Sequence, residues 1–419
     1  MDGGSGVVVG VGAVSPIGVG VRAFTAGLRA GRSGVGLLGF SNELMRSSVA
    51  ATCDGFDPSG VMSDADLARV PRCVPMALSA CREALKMAGL SSLSASASRR
   101  TGLVLGTGAG GIDFTLDQAQ TALVDQKRPS LWTITNATHG NLAGELSIAL
   151  GLRGPSWCVS TGCGSSSDAI GQGLMLIRSG MCDRVVVCGA DAHVRWETLV
   201  GMEMLKVIST RDWRGDAAGA ATASRPFDAT RDGFVLGEGA WALVLSRPGL
   251  DDDARVGEVM GYGVTCDAYH RVRPEPSMEE SARAMREAVG DAGLAMEDIW
   301  VIQYHGTATA VNDVAETRAV RLAFGEHAER LAGSSVKSQI GHPQGASGAA
   351  GVVATLCGLA GLDGGDGFVS PTINLTDHGA GCDLNYTPVE SQAVDGKRIA
   401  LVNCLAFGAK NSALVVRAD

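Results

Sequence analysis

The chain has 419 residues, 45% of them hydrophobic and 19% charged, with 58 glycines. Such an apolar composition argues against disorder, and the length favours two packed halves over a single core. The formal net charge of −9 argues against a general nucleic-acid binder, which needs a basic excess. The 11 cysteines include no Cys-x-x-Cys pair, so we expect buried free thiols in a reducing cytoplasm. No apolar run is long enough to predict a membrane span.

Strand and helix patterns alternate along the first part of the chain. Buried strands are predicted at 7–14, 101–106, 156–160 and 184–190, a helix at 75–89, and a second helix that begins near residue 163. The segment from 156 to 190 is therefore a strand–helix–strand unit. Units of this kind predict a parallel sheet that is buried on both faces.

The pattern starts again after Pro248-Gly-Leu-Asp-Asp-Asp253, which we interpret as the boundary between two halves. Strands are predicted near 255–264, 299–304, 398–404 and 412–417, and helices near 278–293 and 312–324. We therefore expect two α/β halves of unequal length, 1–250 and 251–419. No close sequence repetition is visible between them, so the pattern alone does not predict a duplicated fold.

A cysteine between two glycines is the first candidate for chemistry. In Ser160-Thr-Gly-Cys-Gly-Ser-Ser166, Cys163 falls between a strand end and a helix start. The unpaired N–H groups and partial positive charge of a helix N-terminus lower a thiol pKa and can hold an oxyanion. The alternative interpretation is one more buried structural cysteine.

Two histidines each have a glycine beside them, in His305-Gly306 and in Gly341-His342. A single histidine in such a place is more often a hydrogen-bonded structural residue. Two of them, together with Cys163, provide the minimum set for an activated thiol nucleophile. No carboxylate partner lies close in sequence, so the pair also fits two donors aimed at one thioester oxygen.

A glutamate and a lysine accompany these histidines. Glu316 follows His305 by 11 residues on a predicted helix, and Lys337 precedes His342 by five. A solvated surface pair is one interpretation. The neighbouring side chains are mostly apolar, however, which favours a buried Lys–Glu pair that would be costly to break.

A glycine-rich segment offers a competing interpretation. Gly106-Thr-Gly-Ala-Gly-Gly111 matches the dinucleotide-binding pattern G-x-G-x-x-G and follows a predicted strand. No strand that ends in an acidic residue follows about 20 residues later, which disfavours a dinucleotide site. The sequence also lacks a P-loop, a His-Glu-x-x-His motif and a zinc-like spacing of cysteine and histidine.

Taken together, these motifs resemble the β-ketoacyl-acyl-carrier-protein synthases with a Cys-His-His site, over essentially the whole chain. The matching segments occur in the family's order: 9–18, 160–166, 225–240, 305–316, 337–342 and 403–411. The resemblance implies a thiolase-like α/β fold with five layers, α-β-α-β-α, and two related halves. The half 1–250 would carry the nucleophilic cysteine, and the half 251–419 would carry both histidines.

The resemblance also implies a role for each matching residue. Cys163 would accept the acyl chain from a carrier protein as a thioester. His305 and His342 would donate hydrogen bonds to the thioester oxygen of a malonyl-type extender as it loses carbon dioxide. Lys337, paired with Glu316, would shape the charge around the histidines.

The closing segment of the chain would complete the site. The backbone N–H groups of Cys163 and Phe407 would hold the oxyanion, and Phe407 would act as a gate between the acyl pocket and the extender side. The resemblance implies no metal and no dissociable cofactor, because the phosphopantetheine arrives on the acyl carrier protein.

Departures from the family pattern leave the pathway open between fatty-acid and polyketide biosynthesis. Gly162 and Gly164 stand where fatty-acid enzymes often have alanine, and the Ser-Thr-Gly-Cys segment is closer to type II polyketide ketosynthases. The segment that begins at His305, by contrast, resembles the fatty-acid branch. Ala406 and Ala409 add methyl groups beside the gate. An acyltransferase that does not condense and a non-catalytic chain-length-factor-like subunit are the rival functions.

The expected partners are an acyl carrier protein and a second subunit, either a copy of this chain or a chain-length-factor-like subunit. By resemblance, four basic residues flank the entrance used by the carrier protein: Arg69, Arg72, Lys206 and Arg211. A patch of this kind would act against the overall negative charge. The alternative is ordinary surface charge.

Overall fold

The computed structural model describes residues 4–394, 396 and 398–419. The strands are β1 (Gly6–Ser15), β2 (Gly18–Val19), β3 (Val35–Leu37), β4 (Val49–Ala51), β5 (Thr101–Gly106), β6 (Ser156–Val159), β7 (Arg184–Asp191), β8 (Gly239–Ser246), β9 (Gly257–Cys266), β10 (Val301–Gln303), β11 (Ala332–Ser334), β12 (Phe368–Val369), β13 (Gln392–Ala393), β14 (Ile399–Ala406) and β15 (Lys410–Ala418). The α-helices are α1 (Val21–Arg29), α2 (Asp64–Leu67), α3 (Cys73–Met87), α4 (Ala95–Arg99), α5 (Ile112–Leu123), α6 (Thr133–Ala137), α7 (His139–Leu150), α8 (Ser165–Arg178), α9 (Trp196–Met204), α10 (Ala217–Ala220), α11 (Glu279–Asp291), α12 (Asn312–Phe324), α13 (Lys337–Ile340) and α14 (Ser347–Ala360).

The strand order shows two related halves. The main sheet runs β11-β10-β14-β15-β9-β1-β8-β7-β5-β6, with β2 added to β1. Outward from the centre, β1-β8-β7-β5-β6 and β9-β15-β14-β10-β11 repeat one pattern, with two antiparallel pairings followed by two parallel pairings. A short antiparallel pairing of β1 with β9 joins the halves. The change from one half to the other falls between β8 and β9, and the boundary at residue 250 stays a prediction.

The three largest apolar clusters lie between the layers and hold them together. Helices α8 and α14 pack together between the two half-sheets, in a cluster that includes Leu174 and Val353. Helices α3 and α7 cover the outer face of the first half, and α11 and α12 cover the outer face of the second. This is the predicted α-β-α-β-α arrangement.

The first strand of each half approaches its covering helix unusually closely. A Cβ atom added at Gly10 of β1 would lie 2.1 Å from the carbonyl oxygen of Ala84 in α3. A Cβ atom added at Gly261 of β9 would lie 2.1 Å from the carbonyl oxygen of Ala288 in α11. The same contact recurs two residues along each strand, so both halves need Gly-x-Gly at the same place.

This equivalence exposes a sequence repeat that the pattern analysis missed. Both covering helices contain Ala-x-Arg-Glu-Ala, at 80–84 and at 284–288, and both are followed by Ala-Gly-Leu, at 88–90 and at 292–294. The repeat is short because only the strand–helix contact constrains it. The sequence therefore contains a trace of the duplication. The two segments can be recognised as equivalent only once the strand order is known.

Two central elements were not predicted. β8 lies between β1 and β7 and is buried along its whole length. α14 is apolar on all sides because it is enclosed between the half-sheets, so it lacks the one-sided periodicity that marks a surface helix. In the described part of the chain, no helix is both long and apolar enough to cross a membrane.

Candidate active site

Cys163 lies in a tight turn at the N-terminal end of α8, one of the two central helices. The turn Gly162–Gly164 follows β6 and leads directly into α8, as predicted. Gly162 has φ +68°, and an added Cβ would lie 3.2 Å from the carbonyl oxygen of Phe407. The nucleophile turn of the first half therefore packs against the β14–β15 turn of the second half, and only glycine fits at this position without strain.

One cavity brings the predicted residues together. It has a volume of about 360 Å³, and Cys163, His305, His342 and Phe407 all line it. His305 lies just beyond the end of β10, and His342 lies between α13 and α14. Their ring centroids are 5.4 Å apart with the rings nearly perpendicular. Residues separated by up to 244 positions (163 to 407) thus share one site.

His305 is held on both its backbone and its ring. Glu316 accepts its backbone N–H over 2.6 Å, and Lys337 Nζ donates to its carbonyl oxygen over 2.7 Å. Lys337 Nζ and Cys404 Sγ each lie 3.5 Å from Nδ1 of the ring. An ammonium group can only donate, so Nδ1 acts as the acceptor and the ring proton resides on Nε2.

Glu316 and Lys337 are both buried, as the predicted buried Lys–Glu pair requires, but each binds His305 rather than the other. The Glu316 carboxylate accepts from the N–H groups of His305 and Gly306 and from Asn403 Nδ2, over 2.6–2.7 Å. Lys337 contacts His305 instead. The two charged groups therefore hold His305 from two sides, and their attraction acts across that residue.

His342 is fixed by its neighbours in the family signature 225–240. Its N–H donates to the carbonyl oxygen of Val235 over 2.7 Å, and its own carbonyl oxygen accepts from Gly237. Ser347 Oγ lies 3.0 Å from Nδ1, at the start of α14. Phe234 packs edge-on against the ring at 5.0 Å.

Both imidazoles are neutral because of their surroundings. Burial is the largest cause that lowers the pKa of His305 and of His342 well below 6.5, and the positive charge of Lys337 lowers both further. A neutral imidazole with Nδ1 as acceptor keeps its Nε2–H as a donor. Both neutral rings line the same cavity as the thiol.

The pKa of Cys163 runs opposite to the expectation for a helix N-terminus. Burial raises it to about 11, although Lys337 and the backbone N–H of Phe407 both lower it. The reason is that the turn is enclosed by protein and α8 begins two residues later, so loss of solvent outweighs the helix dipole. The resting side chain of Cys163 is therefore a thiol.

Ala406, at the end of β14, carries a methyl group that Gly162 and Gly164 lack. The Cβ of Ala406 lies 3.7 Å from where a Cβ on either Gly162 or Gly164 would be. The alanine therefore fills space that the two glycines leave open. Ala409 adopts φ +64°, a left-handed conformation that is costly for a residue with a Cβ atom.

The glycine-rich segment 106–111 holds a side chain of the protein itself. Asp191 accepts from Thr107 Oγ1 over 2.6 Å and from the N–H groups of Gly108 and Ala109 over 2.9 and 3.0 Å. It also accepts from Gly345 N–H over 2.7 Å, which joins this loop to the one that follows His342. The donors of the apparent dinucleotide motif are therefore occupied by Asp191.

The four predicted docking residues lie in different settings. Lys206 lines the cavity. Arg211 stacks on Trp213 at 5.3 Å, beside the cavity residue Asp232.

The other two docking candidates do not line the cavity. Arg72 is bound to the buried carboxylate of Glu238 over 2.8 Å, and Arg69 lies 3.4 Å from Asp66. Two further cationic residues that were not predicted, Arg273 and Lys410, do line it.

Three more residues of the site had no sequence signal of their own. Asn403 binds Glu316, Cys404 Sγ donates to the carbonyl oxygen of Cys163 over 3.1 Å, and Gln344 Oε1 lies 3.6 Å from Cys163 Sγ. Asn403 and Cys404 fall inside a motif that was singled out, so their position in it was the available signal.

Comparison with known proteins gives the family. Beta-ketoacyl synthase, N-terminal domain, matches residues 7–249, and Beta-ketoacyl synthase, C-terminal domain, matches residues 256–376. The chain belongs to the beta-ketoacyl synthase family. It is 36% identical to 3-oxoacyl-(acyl-carrier-protein) synthase 2 of Synechocystis sp., over 98% of this chain and 97% of that protein. Its activity is that of a β-ketoacyl-acyl-carrier-protein synthase, an acyltransferase of fatty-acid or polyketide biosynthesis.

Solved ketosynthases share the whole fold. The ishigamide ketosynthase/chain length factor superposes with a TM-score of 0.88 at 29% identity, over 99% of both chains. A ketosynthase bound to its hexaketide and in complex with a type II polyketide acyl-carrier protein gives 0.87 at 25% identity, also over 99% of both chains. The predicted thiolase-like ketosynthase fold is thereby confirmed.

Proposed function

We propose that Cys163 carries the growing acyl chain of this beta-ketoacyl synthase and that His305 and His342 activate a malonyl-type extender. One observation carries the proposal: the thiol and two neutral imidazoles line a single cavity. A thiol with two neutral imidazoles beside it suits carbon–carbon bond formation between two thioesters better than hydrolysis, which needs a base for water.

The first step loads the enzyme. Cys163 Sγ attacks the thioester carbonyl of the incoming chain, the pantetheine thiol of the carrier protein leaves, and the cysteine proton ends on that thiol. The backbone N–H groups of Cys163 and Phe407 face the reacting sulphur and would hold the oxyanion. The positive charge of Lys337 favours the transient thiolate.

The second step forms the new bond. The bond from the extender's carboxylate to its α-carbon breaks, carbon dioxide leaves, and the electron pair develops as an enolate on the thioester oxygen. Nε2–H donors of His305 and His342 stabilise that charge. The α-carbon then attacks the Cys163 thioester, and the cysteine leaves as a thiolate that takes up a proton.

We also propose the partners of the enzyme and its location in the cell. The extender and the acyl chain arrive on an acyl carrier protein, whose own phosphopantetheine supplies the thiol, so the chain needs no resident metal or cofactor. Lys206 and Arg211 beside the cavity are the favoured contacts for this acidic partner. The second subunit is a copy of this chain or a chain-length-factor-like subunit, and the site of action is the cytoplasm.

The decisive experiment is intact-protein mass spectrometry with acyl-loaded carrier protein. Wild type should gain one acyl group and Cys163→Ala none. Malonyl-loaded carrier protein should then clear the adduct and yield the ketoacyl product. An adduct that forms but is never elongated would favour the acyltransferase without condensation. No adduct, with or without a partner subunit, would contradict the catalytic proposal.

A further inference from the structure

Gln344 is a buried polar residue beside the nucleophile that the proposed reaction does not use. It lies two positions after His342, in the loop that leads into α14, and is 7% exposed. Its backbone has φ +44°, a conformation rare for a residue other than glycine. The next residue, Gly345, is fixed by its hydrogen bond to Asp191.

The amide of Gln344 faces the reacting sulphur. The Cys163 thiol donates to Gln344 Oε1 over 3.6 Å. The other end of the amide, Nε2, is buried and has no hydrogen-bond partner among the described residues. A buried N–H group without a partner is costly, so a group of this kind beside a nucleophile points to a partner on the substrate.

The atom of the acyl chain that pairs with Gln344 Nε2 can be found by excluding the atoms that already have a partner. The thioester oxygen of the acyl chain has donors already, in the backbone N–H groups of Cys163 and Phe407. The first carbons of the chain would lie nearest to the amide, because the chain would be bonded to the sulphur that lies 3.6 Å from Gln344 Oε1. Acylation also removes the thiol proton, so the whole amide then becomes free to bind the chain.

Resting on the proposed function, we propose that the acyl chain on Cys163 bears an oxygen at C3, as a ketone or a hydroxyl group, which accepts a hydrogen bond from Gln344 Nε2. Gln344 is then a specificity-determining residue of the acyl side. A saturated chain would leave the buried N–H without a partner, and a site that is built to bind an oxygen disfavours the analogue that lacks it.

The test compares carrier-protein thioesters of equal chain length: butyryl, 3-oxobutyryl and 3-hydroxybutyryl. Their rates of transfer to Cys163 are followed by intact-protein mass spectrometry in wild type, Gln344→Leu and Gln344→Met. We expect wild type to accept both oxygenated donors about tenfold faster than butyryl, which one hydrogen bond supplies. Both apolar variants should lose this preference. A ratio of rates within each protein cancels any loss of folded protein.

Each failure has a distinct meaning. Equal rates for the three donors in wild type would overturn the inference about the chain. An unchanged preference in both variants, or a preference for the hydroxyl donor alone, would overturn the assignment of an accepting oxygen to Gln344. No mass gain from any donor would overturn the proposed function as well, so the two levels are distinguishable.

Discussion

At the scale of single residues, burial decides the chemistry of the site. Cys163, His305 and His342 are each 3% exposed. Burial moves the pKa of the thiol up to about 11 and the pKa of both imidazoles down, so all three groups are neutral at rest. These three groups therefore carry charge only during the reaction, and Lys337 and the oriented N–H groups lie beside that charge.

Glu316 gives a pH-dependent prediction. Burial raises its pKa from 4.5 to about 7 in the folded protein. The folded state thus keeps a proton that the unfolded chain loses, so this contribution to stability is full below pH 4.5 and is lost as pH rises through about 7. Relative to Glu316→Gln, we expect wild type to lose about 3 kcal/mol of unfolding free energy over this range.

Urea unfolding of both proteins at several pH values measures that difference. The Glu316→Gln variant would keep an acceptor oxygen and remove the titration, so the general pH dependence of the chain cancels. A difference in unfolding free energy that stays constant with pH would show that Glu316 does not titrate in this range.

At the scale of elements, the strand–helix contact of each half tolerates no side chain. Gly10→Ala and Gly261→Ala would each place a Cβ 2.1 Å from a helix carbonyl oxygen, so strand and helix must separate. We expect each to lower the unfolding free energy by about 1–3 kcal/mol or more. Chemical denaturation measures the loss.

Gly36→Ala in β3 is the matched control, because an added Cβ there meets nothing within 4 Å. It should change stability by no more than about 0.5 kcal/mol. Similar losses for all three variants would contradict close approach as the cause, because an alanine at the open site of Gly36 restricts the unfolded chain and should not destabilise the fold.

At the scale of the whole molecule, one sheet edge is left open. β6 is the last strand of the first half, it pairs only with β5, and its Trp157 is 42% exposed. Helix α7 packs against β6 and carries the exposed Ile148. Leu123 of α5 and Ile134 of α6 are also exposed, and α6 contacts both α5 and α7. We expect this open edge, with its exposed apolar side chains, to bind a partner subunit.

We therefore expect the Ile148→Lys, Trp157→Lys double variant to lose its second subunit. Sedimentation equilibrium of the purified chain should give a dimer for wild type and a monomer for the variant. Leu44→Lys, at a side chain 68% exposed outside this surface, should remain dimeric. A wild-type monomer with its active site intact would favour a heterodimer with a chain-length-factor-like subunit.

The sequence by itself determined the chemistry and most of the framework of this protein. Its motifs identified Cys163, His305, His342, Glu316 and Lys337, and its periodicity predicted most of the sheet, because short-range signals such as glycine turns and apolar strands are local properties of the chain.

The tertiary structure decided what those residues do to each other. It separated Glu316 from Lys337 and placed His305 between them, reversed the expected pKa shift of Cys163, and filled the glycine-rich loop with Asp191. It also brought Gln344 against the nucleophile. Burial and tertiary contacts control these properties, and the contacting residues lie between 11 and 181 positions apart in the chain.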